Sequence, residues 1–166
     1  MPDVRIVNIT NLWGTTADWA LTPVGLLDET QELANAVRVA LMTDALASVD
    51  EVLPDLNSTD RHGWWGDFDA EVIWNGWPIG CKNWLLTRAK ISDAGSGEGA
   101  TLARAEDYTR QAMRPLLDKK LASLIQVQAT RIGTERIQVL ITIYRGPKQA
   151  IQLQFQGLWD DFVAGR

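Results

Sequence analysis

Histidine and cysteine are almost missing from this chain. Its 166 residues hold one of each, His62 and Cys81. A lone cysteine cannot close an internal disulfide, which suits a reducing compartment. A zinc site needs clustered His, Cys and carboxylate ligands, so no metal site is expected. Apolar runs are short as well. No stretch approaches the roughly 18 consecutive apolar residues of a membrane span. Residues 1–10 lack the basic start and the continuous apolar stretch of a secretory signal. Positive charge is in deficit: 16 Lys and Arg face 21 Asp and Glu, a net charge of -5. Nucleic-acid binding needs a basic surface that displaces counterions, so neither nucleic acid nor membrane is expected as a partner. The small cluster Arg110, Arg114, Lys119 and Lys120 reads as a solvated helix face. The sequence also lacks the Gly-x-Gly-x-x-Gly of a dinucleotide site, the Gly-x-Ser-x-Gly of a hydrolase elbow and a P-loop lysine. Gly95-Ser96-Gly97-Glu98-Gly99 is rich in glycine but follows no buried strand. No cofactor is expected.

What is present suffices for a core: 46% of the residues are hydrophobic, enough for one domain of this length. Val4 to Ile9 has the β-branched content of a strand. Residues 19–27 read as a hairpin-like segment turning at Thr22-Pro23-Val24-Gly25, where Pro presets the second turn position and Gly suits the fourth. Residues 1–27 are therefore expected to form an N-terminal strand and hairpin arm, and residues 28–166 a single domain. Asp28 or Thr30 caps a helix, with Gln31 completing the Asp28 capping pattern. Leu33, Val37, Ala40, Leu41, Ala45 and Val49 continue it as one apolar stripe that ends before Pro54. Asp44 lies at the edge of that stripe, either exposed or paired with an arginine such as Arg61. A short helix is expected over 81–90, with Trp84, Leu85 and Ala89 on its buried side. A longer one starts at Thr101, with Leu102, Ala105, Thr109, Ala112, Met113 and Leu116 inward. Pro115 either kinks that helix or opens a second short one.

The last third alternates apolar and polar residues. Ile125, Val127 and Ala129 form one series. Ile137, Val139, Ile141 and Ile143 form the next, followed by Ile151, Leu153 and Phe155. Turns fall at Ile132-Gly133-Thr134 and Gly146-Pro147-Lys148. The pattern predicts a three-stranded antiparallel meander with one buried face. The helices should cover that face, giving an α+β fold with an N-terminal β-rich arm.

Between the helices, residues 52–80 form a long irregular segment. Loops beyond about 15 residues inside a domain are usually functional or ordered by a partner. This one holds four of the chain's eight tryptophans, Trp64, Trp65, Trp74 and Trp77. Its centre is Asp60-Arg61-His62-Gly63-Trp64-Trp65-Gly66-Asp67. Each indole can bury on the order of 200 Å². Such rings either lid the domain's own core, with Arg61 and Asp67 tying the loop ends, or anchor a partner. One ring facing in and one out satisfies both.

An enzymatic reading is available for the same segment. Asp67, Asp69 and Glu71 lie beside Trp64, Trp65 and Trp74, and paired carboxylates with stacking aromatics are what glycoside cleavage uses. A general acid, however, needs an apolar pocket that nothing in the sequence indicates. Three acids at alternate positions also describe a solvated strand edge. A carbohydrate-binding module is a further alternative, since exposed indoles stack on sugars. Cys81, beside Gly80 at a helix start, could pair with His62 as a nucleophile. Such a cysteine is more often a small buried hydrophobe.

The run 60–67, preceded by Leu41-Met42-Thr43-Asp44 and Leu53-Pro54-Asp55, resembles the Mu-type phage baseplate family named for gene product forty-six. Three later stretches fit in the same order. They are residues 82–90 (Lys-Asn-Trp-Leu-Leu-Thr-Arg-Ala-Lys), residues 101–108 (Thr-Leu-Ala-Arg-Ala-Glu-Asp-Tyr), and Ile143-Tyr144-Arg145. The likeness spans about residues 19–159. It departs at His62, where arginine is expected in many relatives, and at the Gly-rich insertion 93–99. The resemblance implies kinship with the small wedge proteins of contractile tails, similar to T4 gene product twenty-five. It implies a structural protein of the tail baseplate, made in the host cytoplasm, and not an enzyme. Its implied partners are other wedge and hub proteins, and tail sheath by strand addition, with six copies per particle. Asp60, Arg61, Gly63, Trp64, Trp65, Gly66 and Asp67 form the implied interface motif.

Overall fold

The computed structural model describes residues 6–11, 14–26, 32–73, 76, 78–89, 101–132, 136–146 and 148–155. Several sequence expectations lie outside the described residues: the helix cap at Asp28 to Gln31, Trp74, Trp77, the Gly-rich stretch 93–99, and the turn residues Gly133, Thr134 and Pro147. The chain divides into two compact units, Met1–Val39 and Ala40–Arg166.

In the first unit, β1 (Ile6–Asn11) pairs antiparallel with β2 (Gly14–Trp19), with Ile6 opposite Trp19 and Asn11 opposite Gly14. The Thr22-Pro23-Val24-Gly25 turn follows. It is closed by the Gly25 amide donating to the Thr22 carbonyl at 2.9 Å, and Thr22 Oγ1 accepts from the Leu26 amide at 3.1 Å. Helix α1 runs Glu32–Met42 across the division between the units. Leu33, Ala34, Val37, Ala40 and Leu41 are buried along it.

The apolar stripe at helical spacing predicts that α1 continues to Val49, and the structure corrects this. The helix ends at Met42 because tertiary partners take the next backbone groups. The Thr43 carbonyl accepts from the Cys81 amide at 2.9 Å, and the Ala45 amide donates to the Cys81 carbonyl at 3.1 Å. Asp44 and Cys81 form a parallel bridge, and Val49, at the end of the expected stripe, is exposed. Two such hydrogen bonds are worth about 0.5–1.5 kcal/mol each, enough to override the small helix preference of one turn.

In the second unit, the short helix expected over 81–90 is a 3-10 helix over Lys82–Leu86, with Lys90 outside the described residues. Asn83, Trp84, Leu85 and Leu86 are all buried, so the segment has no solvent face for an amphipathic helix to present. Helix α3 (Thr101–Asp118) follows a short α2 (Ala70–Ile73) in chain order. It buries Thr101, Ala105, Thr109, Met113 and Leu116 along one side. Pro115 lies within its last turn without ending it. The end is made by Lys120, at φ 58°, with the Leu121 and Ala122 amides both donating to the Leu116 carbonyl.

Strands β3 (Leu124–Ile132), β4 (Arg136–Arg145) and β5 (Lys148–Phe155) form an antiparallel sheet in the order β3-β4-β5. Ile125 faces Ile143 and Ala129 faces Val139 across the first pair; Ile143 faces Ile151 across the second. A bulge at Ile143 and Tyr144 shifts the register of the second pair. Ile137, Val139, Ile141 and Ile143 are fully buried, each contributing about 1.5–3 kcal/mol of transfer free energy. Helix α3 packs against β3, against the Lys82–Leu86 segment and against β4. At the outer edge of β3, the Ala129 amide donates to Glu106 Oε1 of α3 at 2.8 Å. That carboxylate takes a donor which an edge strand otherwise leaves open.

Candidate functional site

The segment 60–67 stands on a platform made by residues 43–51 and 79–84. The platform exists because two backbones touch. Gly80 has φ +132°, and a Cβ there would come within 2.7 Å of the Ala45 nitrogen and 2.9 Å of its Cα. Only glycine accommodates both the angle and the approach. Trp84 is buried in a cluster with Ala47 and Leu85, with Leu53 and Tyr108 packed against them. Its Nε1 donates to the Ala45 carbonyl at 2.9 Å, so the indole also fastens residue 45.

His62 lies flat on this indole. The ring centroids are 3.9 Å apart and the planes differ by 3°. Its Nδ1 is 2.7 Å from Asp44 Oδ2, a half-buried pair. The turn that aims the ring inward is unusual. His62 has φ 51° and Gly63 φ 105°, and Asp60 Oδ1 accepts from the His62 amide at 2.9 Å. An Asp two residues ahead of a left-handed residue is a common local brace.

The sequence left Asp44 either exposed or paired with an arginine such as Arg61. The structure places His62 there instead, and Arg61 has other work. Its guanidinium donates to the carbonyls of Ser48, Val49 (2.8 Å) and Glu51 (3.5 Å). A planar fork with five donors suits three converging carbonyls better than a single carboxylate. The Ala47 amide donates back to the Arg61 carbonyl at 3.0 Å. Glu51 is held by Lys82 Nζ at 2.9 Å and by the Ser48 amide at 2.6 Å. Partial burial pushes the Glu51 carboxyl up. The Lys82 ammonium and the Ser48 donors outweigh it and hold the group below the usual carboxylate range.

The other end of the loop is tied by Asp67, whose Oδ1 accepts from the Ile79 amide at 2.9 Å. Trp64 and Trp65 make a tilted ring contact, with centroids 5.6 Å apart and planes at 49°. Trp64 is half-buried and lies over Gly66, where an added Cβ would collide with its ring. Trp65 points out and is 84% exposed. Phe68 is 94% exposed and Val72 83%. Sequence reasoning passed over these last two, although the spacing Trp65, Phe68, Val72 is that of one helical side. It also weighed His62 as a departure from a pattern and as a partner for Cys81, not as a partner for Asp44. Its inward position depends on Asp44 and Trp84, which lie 18 and 22 positions away, and no local signal carries that.

Of the residues weighed for chemistry, Asp67 is engaged by a backbone amide and Asp69 is exposed. Cys81 is buried, and burial pushes its thiol up to about 11 against the Asn83 amide and the Thr109 hydroxyl. At neutral pH the sulfur is protonated, and the His62 Nδ1 faces Asp44 rather than Cys81. Among the described residues no group of His, Cys, Asp and Glu is placed to hold a metal ion.

Residues 33–150, well over half of the chain, match the family described as Phage protein GP46. The chain belongs to that family. The matched region takes in the loop, its platform, α3 and most of the C-terminal sheet. No curated protein matches the chain.

Proposed function

We propose that this member of the GP46 phage family is a structural component of a contractile tail baseplate. It would be related to the small Mu-type and T4 gene product twenty-five-like wedge proteins. It acts by assembly and not by catalysis. In this reading the chain is an α+β domain with helices on one face of its C-terminal sheet and an N-terminal β-rich arm. It works in the virion baseplate, in six copies, between wedge and hub proteins and the first sheath subunits.

One observation carries the assembly reading: a loop fastened firmly from below and bare on top. Arg61, His62 and Asp67 bind it to residues 44–51 and 79–84, while Trp65 and Phe68 stand in solvent. Large apolar side chains on a rigid support are the usual anchors of a protein interface. The C-terminal sheet supports a second contact. Glu106 occupies one donor on the β3 edge, and among the described residues β5 is the other outer strand, the candidate for strand addition.

Quantitative mass spectrometry of purified tails tests the reading. A fixed amount of this chain, substoichiometric to the sheath and equal to one ring of copies, is the expected result. Intact tails without it refute the proposal, and hydrolysis of cell-wall glycans through Asp67, Asp69 and Glu71 becomes the reading to test.

A further inference from the structure

We infer that the outward side of the loop docks a protein surface bearing an apolar pocket ringed by lysine or arginine. The inference rests on the assembly role proposed above and specifies the chemistry of one partner. Three features converge on it.

The first is the apolar stripe. From Trp65 to Ile73 the backbone runs through successive turns, a 3-10 helix over Trp65–Asp67 and then α2. Trp65, Phe68 and Val72, spaced by three and four along these turns, are all exposed. Trp65 and Phe68 alone present roughly 300–500 Å² of ring surface, as large as the largest apolar patch on a typical monomer. Both rings remain largely exposed, although the Trp64 ring lies beside Trp65.

The second is charge. Between Asp44 and Glu71 the sequence has eight acidic residues against a single arginine, so this stretch is more acidic than the whole chain. The internal cations are already committed. Arg61 is turned onto backbone carbonyls, and Lys82 neutralises Glu51. Asp50 and Asp69 are exposed and have no ion pair among the described residues. Asp69 follows Phe68 directly in the chain, and Asp50 lies in the 48–51 turn that Arg61 holds, so uncompensated negative charge sits on the same loop and platform.

The third is exclusion by the same electrostatics. A second copy would bring acid against acid, which costs affinity when like charges meet across an interface. Nucleic acid and anionic lipid fail for the same reason. A basic rim around a pocket for the aromatic rings satisfies both features. It also steers encounter over a Debye length of about 8 Å at physiological salt.

The test uses tails made by a host carrying the phage genes without this one, complemented with the full-length chain. Incorporation is measured by mass spectrometry. Trp65→Ser with Phe68→Ser, and separately Asp50→Lys with Asp69→Lys, should each lower incorporation by about tenfold or more. Both pairs should keep the wild-type melting temperature, because all four side chains are exposed. Second-site revertants of the lysine pair should map to a tail protein and replace a lysine or arginine there. Normal incorporation of the Trp65 and Phe68 variant overturns the docking face, and normal incorporation of the lysine variant overturns the basic rim. A dimer of the purified chain that the Trp65 and Phe68 changes dissociate also overturns the inference, since the occupant is then a second copy. Wild-type chain missing from the tails is a different failure, which removes the assembly role itself.

Discussion

Replacing Gly80 by alanine should be the most damaging single-methyl change in the second unit. Two effects add. At φ +132° an L side chain is strained, by roughly 1–3 kcal/mol. The new Cβ would then sit 2.7 Å from the Ala45 nitrogen and 2.9 Å from its Cα, both backbone atoms that cannot rotate away. Overpacking of this kind costs about 1–3 kcal/mol. Moving the two segments apart instead would break the Ala45 and Cys81 amide bonds, at about 0.5–1.5 kcal/mol each. The lower entropy of the unfolded alanine chain offsets about 0.4–1 kcal/mol. A net loss of about 2–4 kcal/mol follows, against a total of about 5–15 kcal/mol for an ordinary domain. Urea unfolding followed by tryptophan fluorescence measures it. Gly76→Ala is the control, because Gly76 has φ +73° but open space around its Cβ position. It should show the strain alone. Equal losses at Gly80 and Gly76 would refute the close backbone approach on which the loop platform depends.

The remaining expectations concern the side chains of the same platform. His62→Ala should cost about 1–2 kcal/mol, from a stacked pair worth about 0.5–1.5 kcal/mol and a half-exposed hydrogen bond to Asp44 discounted for solvent. A double-mutant cycle with Asp44→Asn should return a coupling of the same sign; zero coupling would mean that the 2.7 Å contact contributes nothing. Glu51, with its folded value depressed, contributes stability that is present above its unfolded value and lost as pH falls through the folded one. Acid titration of the wild type should therefore show a loss that Glu51→Gln reduces; identical titrations would remove Glu51 from the platform. Cys81, buried with its thiol raised to about 11, should react with iodoacetamide at pH 7.5 only on the timescale of unfolding. Rapid labelling of the folded chain would contradict its burial.

How much of this was legible in the sequence depended on how far apart the deciding residues lie. In β4 the period of two at Ile137, Val139, Ile141 and Ile143 coincides with burial, because one strand face meets the core along its whole length. The inner side of α3 is legible for the same reason, at a period near four. The end of α1 is not. Ala45 and Val49 continue its stripe, but the hydrogen bonds that stop the helix come from Cys81, far along the chain. The candidate site divides in the same way. Its position was marked by adjacent tryptophans in a charged, Gly-rich run. Its wiring was not, because opposite charge suggests Arg61 for Asp44, whereas three carbonyls of the 48–51 turn compete for the guanidinium and win. Phe68 was hidden because one phenylalanine between two aspartates looks like any half-buried loop residue until its exposure is known.

The three carbonyls gathered by Arg61 also bear on how quickly and with what thermal signature the loop can bind. A flexible recognition segment must be ordered at the moment of contact, which slows productive encounters and adds a large unfavourable entropy. Here the carrier of Trp65 and Phe68 is already held at both ends before anything arrives. Association can then proceed near rigid-body rates, and its heat-capacity change should track the area of the two rings alone. Selectivity, in turn, falls to the shape of the pocket they enter, since a pre-set loop cannot remould itself to fit a poor one.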